Sequence, residues 1–163
     1  MATSQTDIEI LFPKLKETGY RRTSPVEGSY NCIAWAAGHK DRWWEPSTGY
    51  YWPGDVPQIC TVPVLVAMFR ALGYDVCDDG GLETDFDKIA IYGEDDGYTH
   101  AARQLDDGKW TSKLGGLEDI EHNSLDGLVG EQYGTVQVFM KRHKGYEIDP
   151  PTFPDQSFHL FPK

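Results

Sequence analysis

The sequence predicts an α+β fold, helices packed on an antiparallel sheet, and three observations predict it. Two helix signatures, around residues 32–37 and 61–73, come before the strand signals, which is the helix-then-sheet order of that class. The strand signals that follow are joined by glycine-containing acidic turns at 93–97 and 106–108, where Asp-Gly is a strong hairpin marker. Hydrophobic residues make up 39% and aromatics 13% of 163 residues, enough to fill the core of one domain and short of two. The expected layout is an N-terminal arm and loop over 1–29, an α+β core over 30–148 and an extended, proline-rich tail over 149–163.

In chain order, Ile8, Ile10, Leu11, Phe12 and Leu15 lack a clean period, and Pro13 cuts a helix or opens a short one, so 7–19 reads as a docking arm ending at Gly19. Residues 21–29 read as a loop. It delivers Cys32 to a short, all-round apolar and therefore buried helix, Ile33 to Ala37, stopped by Gly38. The stretch DRWWEPSTGYYWPG over 41–54 is too irregular for a regular element. It reads as an ordered aromatic loop, either a groove wall that stacks on a ligand or a plug that seals the core, with the plug favoured.

The clearest helix runs from Thr61 to Gly73, with Pro63 in its first turn and Val62, Leu65, Val66, Phe69 and Leu72 as its apolar set. A short strand at 74–77 and a solvated acidic loop at 78–87 lead into strands at 88–92, 98–105 and 109–114. Residues 117–130 read as one or two helical turns, with Asn123 and Asp126 placed like a capping box, and 135–140 as a further strand.

Charge narrows the partners. With 15 Lys and Arg against 26 Asp and Glu the net charge is −11, which repels phosphate backbones and anionic membranes, so neither nucleic acid nor membrane is expected as a partner. Cys32, Cys60 and Cys77 form an odd set without a CxxC pair, which argues against a disulfide framework and a structural zinc site, and the five histidines include no HExxH. No metal or other cofactor is expected. The N-terminus lacks the regions of a signal peptide, so the expected location is cytoplasmic, compatible with export by a specialised secretion system that needs no such leader.

The chemistry centres on Cys32. A thiol at a helix start gains from unpaired N–H groups and the positive dipole end, and cysteine hydrolysis further needs an imidazole within reach and donors for the oxyanion. His100, on the middle strand of the meander, is the candidate base, with Trp43 and Trp44 as candidate substrate contacts. The competing reading of Cys32 is a buried small hydrophobe. Cys60, directly before the longer helix, is a rival nucleophile, and His122, among carboxylates, is a rival base or a third-position histidine. Arg103 and Lys113 flank the same hairpin, where solvated edge charge is the commoner role.

This Cys-helix and His-strand pattern resembles the papain-like superfamily, including NlpC/P60 and CHAP peptidases. The strings YNCIAWA, THAARQL and WTSKLG also resemble an uncharacterised bacterial family. The resemblance spans about 30–142, but Asn31-Cys32 stands in place of the NlpC/P60 Asp-Cys, and Thr99-His100-Ala101 in place of its Gly-His-Val. It implies Cys32 as nucleophile and His100 as general base and acid, with the Cys32 N–H and Asn31 as oxyanion donors, acting on a peptide, amide or protein substrate. The third member comes from the following strand region: Asp119 is chosen because a carboxylate stabilises imidazolium best, over Glu118, Ser112 and His122. The expected function is a cysteine hydrolase or acyl-transferase. The alternatives are a non-catalytic interaction module using residues 43–52 and a secreted bacterial effector or toxin.

Overall fold

The acidic turns close hairpins where the sequence puts them. In the computed structural model, which describes residues 5–47, 49–53 and 56–145, strand β3 (Phe86–Glu94) returns as β4 (Gly97–Gln104) through Asp95 and Asp96. Asp95 adopts φ 53°, a left-handed conformation that Asp tolerates better than most residues. Gly93 faces Gly97 so closely that a Cβ on it would lie 2.5 Å from the Gly97 carbonyl oxygen, which explains a glycine inside a strand.

Seven strands form one antiparallel sheet in the order β1-β6-β5-β4-β3-β7-β2. The others are β1 (Tyr20–Arg22), β2 (Asp75–Cys77), β5 (Trp110–Lys113), β6 (Asp119–His122) and β7 (Thr135–His143). The helices are short: α1 (Gln5–Leu11), α2 (Lys14–Thr18), α3 (Cys32–Ala36) and α4 (Val62–Ala71), plus a 3-10 helix at Leu125–Leu128. The expected papain-like arrangement of helices packed on a sheet is therefore not what forms. The molecule is chiefly sheet, because Pro13 divides the N-terminal arm and Gly38, at φ 93°, ends α3 after five residues.

Both faces of the central strands are covered, which accounts for the continuous apolar run of β3. Ile89 and Ile91 point into a core built with α3, α4 and the aromatic loop, while Ala90 and Tyr92 point into a second core built with α1, α2 and the 3-10 helix. The aromatic loop is a plug: Trp44, Tyr51 and Trp52 are buried, whereas Trp43 is half-buried and Tyr50 exposed. One side chain joins plug to helix. The Asn31 Oδ1 accepts from Ala34 N at 3.2 Å, capping α3, and from Trp44 N at 3.0 Å, while its Nδ2 donates to the Trp44 carbonyl at 2.7 Å.

Two local expectations are corrected. Residues 20–22 are a strand, not loop, and 119–122 are a strand, not a helical turn; each exists through pairing with the other, Tyr20 opposite His122 and Arg22 opposite Ile120. The 3-10 helix begins after Ser124, so Asn123 is not its cap; the Asn123 Nδ2 instead donates to the Thr18 carbonyl at 3.0 Å. The tail over 149–163 lies outside the described residues.

Because Trp44 is 3% exposed, stacked on His39 and packed at a tilt against Tyr51, Trp44→Ala is expected to cost about 3–5 kcal/mol in urea unfolding. Trp43→Ala, at a half-buried position, is expected to cost less than half of that.

Candidate functional site

β4 and β5 pair at only two positions, Arg103 with Thr111 and Gln104 with Trp110, and then part. The earlier half of β4 keeps β3 on one side and leaves its other edge to α3, which packs against both β4 and β5. The first residue of α3 is Cys32, half-buried, and the Ala101 N–H is turned towards its sulfur. Ala101 follows His100, so it is the backbone beside His100 that meets the Cys32 sulfur.

Burial pushes the Cys32 thiol up to about 11, against the opposing pull of the Ala101, Ile33 and Cys32 N–H groups and the Lys113 charge. The dipole argument read from the sequence therefore loses to desolvation, and the resting group is a thiol. It makes no hydrogen bond to His100, whose Nδ1 is buried without any partner.

The other ring nitrogen of His100 is fully committed. Its Nε2 lies 2.9 Å from Ser112 Oγ, which lies 2.8 Å from His122 Nε2, and His122 Nδ1 lies 2.9 Å from the Ser124 carbonyl. All three side chains are fully buried, and the His100 ring stacks on Tyr133 with centroids 4.2 Å apart and meets Tyr92 edge-on. The chain fixes its own polarity. A carbonyl only accepts, so His122 Nδ1 carries the proton and, in a neutral ring, Nε2 accepts from the Ser112 hydroxyl. Ser112 Oγ then accepts from His100 Nε2–H, which leaves His100 Nδ1 as a bare lone pair. Burial, with a smaller contribution from His122, pushes His100 well below the usual histidine range; burial lowers His122 to about 4 against the raising effect of the Ser124 carbonyl.

Asp119, the sequence's choice for the third group, lies elsewhere. Its Oδ2 accepts from the Tyr30 hydroxyl at 2.7 Å and its Oδ1 is buried without a partner. Burial raises its carboxyl above the ordinary range, opposed by the Tyr30 hydrogen bond and by Lys113, Lys40 and Arg103. The position beside His100 is taken by Ser112, and His122 stands behind it. Glu118 is buried and paired with Arg22 at 3.1 Å. Lys113 is structural: its ammonium donates to the carbonyls of Glu27, Gly115 and Leu117 and sits 4.9 Å over the Tyr30 ring.

A pocket of about 310 Å³ opens on the Asp119 side, lined by Tyr30, Trp35, Lys40, Arg103, Thr111 and Asp119 among others. Tyr30 and Trp35 were not read from the sequence as site residues, although they bracket Cys32 in YNCIAWA. Asn31 spends Oδ1 and one Nδ2 donor on the cap and the plug, Trp44 is interior, and the Trp43 Nε1 donates to Glu45 at 2.9 Å, so these three form no site beside the Cys32 sulfur. Cys60 is exposed ahead of α4. His39 stacks on Trp44, and His143 on Phe86 with centroids 4.3 Å apart. Among the described residues no group of three or more His, Cys, Asp or Glu is placed to hold a metal ion, and no helix is long and apolar enough to cross a membrane.

Neutral buried histidines make stability pH-dependent. The unfolded chain binds the His122 proton below about 6.5 and the folded one only near 4, so folding loses stability as pH falls through that window, on the order of 3 kcal/mol from this residue. His100 adds loss of the same sign. Urea midpoints measured from pH 7.5 to 4.5 are expected to fall, and His122→Gln is expected to flatten the slope.

No curated protein and no solved structure matches the chain. A family model described as a domain of unknown function (DUF7689) matches residues 21–141, from β1 into β7, and the chain belongs to that family.

Proposed function

We propose that the domain performs cysteine-dependent hydrolysis or acyl transfer, with Cys32 as nucleophile and His100 as the base. What supports this reading is a bare Nδ1 on His100, the residue next to the one whose N–H faces the Cys32 thiol. The ring's Nε2 proton is held by Ser112, its Nδ1 accepts nothing, and the Cys32 sulfur sits against the N–H of the next residue, Ala101.

The step follows from these protonation states. As the Cys32 sulfur attacks an acyl carbon, its proton passes to His100 Nδ1, so thiolate and imidazolium form only along the reaction path. The imidazolium returns that proton to the leaving amine or alkoxide, giving a thioester, which water or an acceptor then cleaves. Ser112 takes the part expected of Asp119: it orients the ring through a hydrogen bond, with an uncharged acceptor. The Cys32 N–H, at a free first turn, is the available oxyanion donor.

A second reading, a binding module without catalysis, is favoured by the polar pocket beside Tyr30, not by the aromatic loop, whose large rings mostly fill the core.

p-Nitrophenyl acetate tests the catalytic reading with peptide mapping by mass spectrometry. The expected result is acetyl on Cys32, formed at least tenfold more slowly in His100→Ala and in Ser112→Ala, since a positioned base contributes about 10²–10⁴-fold. Acetylation of Cys32 at the same rate in wild type and both variants would overturn it.

A further inference from the structure

The pocket beside Tyr30 carries two unfinished groups of opposite sign. Asp119 is 4% exposed, yet its Oδ1 has no hydrogen-bond partner. Arg103, across the same pocket, is half-buried, packs 5.1 Å over the Trp35 ring and spends only its Nε, on the Trp35 carbonyl at 3.4 Å; among the described residues it has no ion pair. A buried carboxylate oxygen and a half-buried guanidinium without acceptors each cost free energy until something completes them.

The Thr111 and Ser24 hydroxyls of the pocket cannot do so, because they are already used. The Thr111 hydroxyl donates to the Ile120 carbonyl at 3.1 Å and accepts the Trp35 Nε1 at 3.0 Å. The Ser24 hydroxyl donates to the Pro25 carbonyl at 2.8 Å and accepts the Asp119 N–H at 2.9 Å. Glu121 is paired with Arg21 and Lys109. The remaining charged capacity is one carboxylate oxygen, the guanidinium edge of Arg103 and the exposed ammonium of Lys40. A simple cation would satisfy only the first and a simple anion only the others.

We propose that this pocket binds an amino-acid-sized zwitterion, its ammonium on Asp119 Oδ1 and its carboxylate on Arg103, with Lys40 at the rim. The volume, about 310 Å³, is at the small end of ligand sites, which suits a single amino acid and not a folded partner. An incoming ammonium also favours the charged form of a carboxyl that burial otherwise pushes towards neutrality. The site stands apart from the thiol chemistry, since its determinants do not include Cys32 or His100.

Titration of the uniformly ¹⁵N-labelled chain tests this, with L-alanine, L-serine and L-glutamine against ethylamine and propionate at matched ionic strength. At least one amino acid is expected to give saturable shifts at the Trp35 indole and the Thr111 and Asp119 amides, with Kd at least tenfold below that of ethylamine or propionate. Arg103→Gln and Asp119→Asn are each expected to weaken binding at least tenfold. Lys40→Gln, at an exposed position, gives a smaller loss and serves as the variant that folds if Asp119→Asn does not. Cys32→Ala is expected to bind unchanged, which separates this site from the hydrolase reading. Absence of saturable shifts with all three amino acids, or equal binding of ethylamine or propionate, would overturn the proposal, as would full binding by a folded Arg103→Gln.

Discussion

The early parting of β4 from β5 is the constraint on which the rest of the structure depends. An antiparallel pair that stops after Arg103 and Gln104 leaves the edge of β4 at His100 and Ala101 without a strand partner on the side away from β3, and buried backbone groups must be satisfied by something. α3 fills that place, which is why a five-residue helix is worth building, and Asn31 holds it there by serving as both its cap and the clamp of the aromatic plug. On the opposite side of the gap, Ser112 replaces backbone pairing with a side-chain bridge to His100. Cap, plug and bridge therefore answer one missing stretch of ladder.

Local chemistry made much of the framework legible before any coordinates. Pro63 in the first turn, the apolar set and Gly73 as the stop marked α4, and its observed span, Val62–Ala71, lies inside the expected 61–73. Glycine and aspartate turns marked β3, β4 and β5, whereas the stretch 7–19, expected as a docking arm, holds two short helices, α1 and α2, on either side of Pro13. What could not be read were strands that exist only by pairing. Tyr20–Arg22 and Asp119–His122 are polar and three or four residues long, with no period of their own, and each acquires its conformation from the other. Missing them turned a sheet-dominated fold into an expected arrangement of helices on a sheet.

The site was half legible for a similar reason. Cys32 and His100 stand out as residue types on predicted elements, and the backbone N–H of Ala101, next to His100, faces the Cys32 sulfur. The third group depends on register, which sequence does not supply. With Ser112 opposite Ile120 and Trp110 opposite His122, Ser112 and His122 share a face with His100, whereas Lys113 and Asp119 face the other way. A preference for a carboxylate beside an imidazole picked Asp119, but alternation along two short strands sends it to Tyr30 instead.

That alternation also decides what kind of base His100 can be. A carboxylate behind the ring would favour imidazolium and draw the thiol proton across in the resting state. A serine whose own hydroxyl proton is committed to a neutral histidine offers a lone pair to the Nε2–H and no charge. With His100 pushed well below the usual range and Cys32 up to about 11, thiol and imidazole both rest neutral. The proposed chemistry must then move its proton only when an acyl group is present to accept the sulfur. Such a site gives up resting reactivity towards alkylating agents and oxidants, which act on the thiolate, while it keeps a base with a fixed tautomer. The hydrogen bonds from Ser124 to Ser112 are what fix that tautomer.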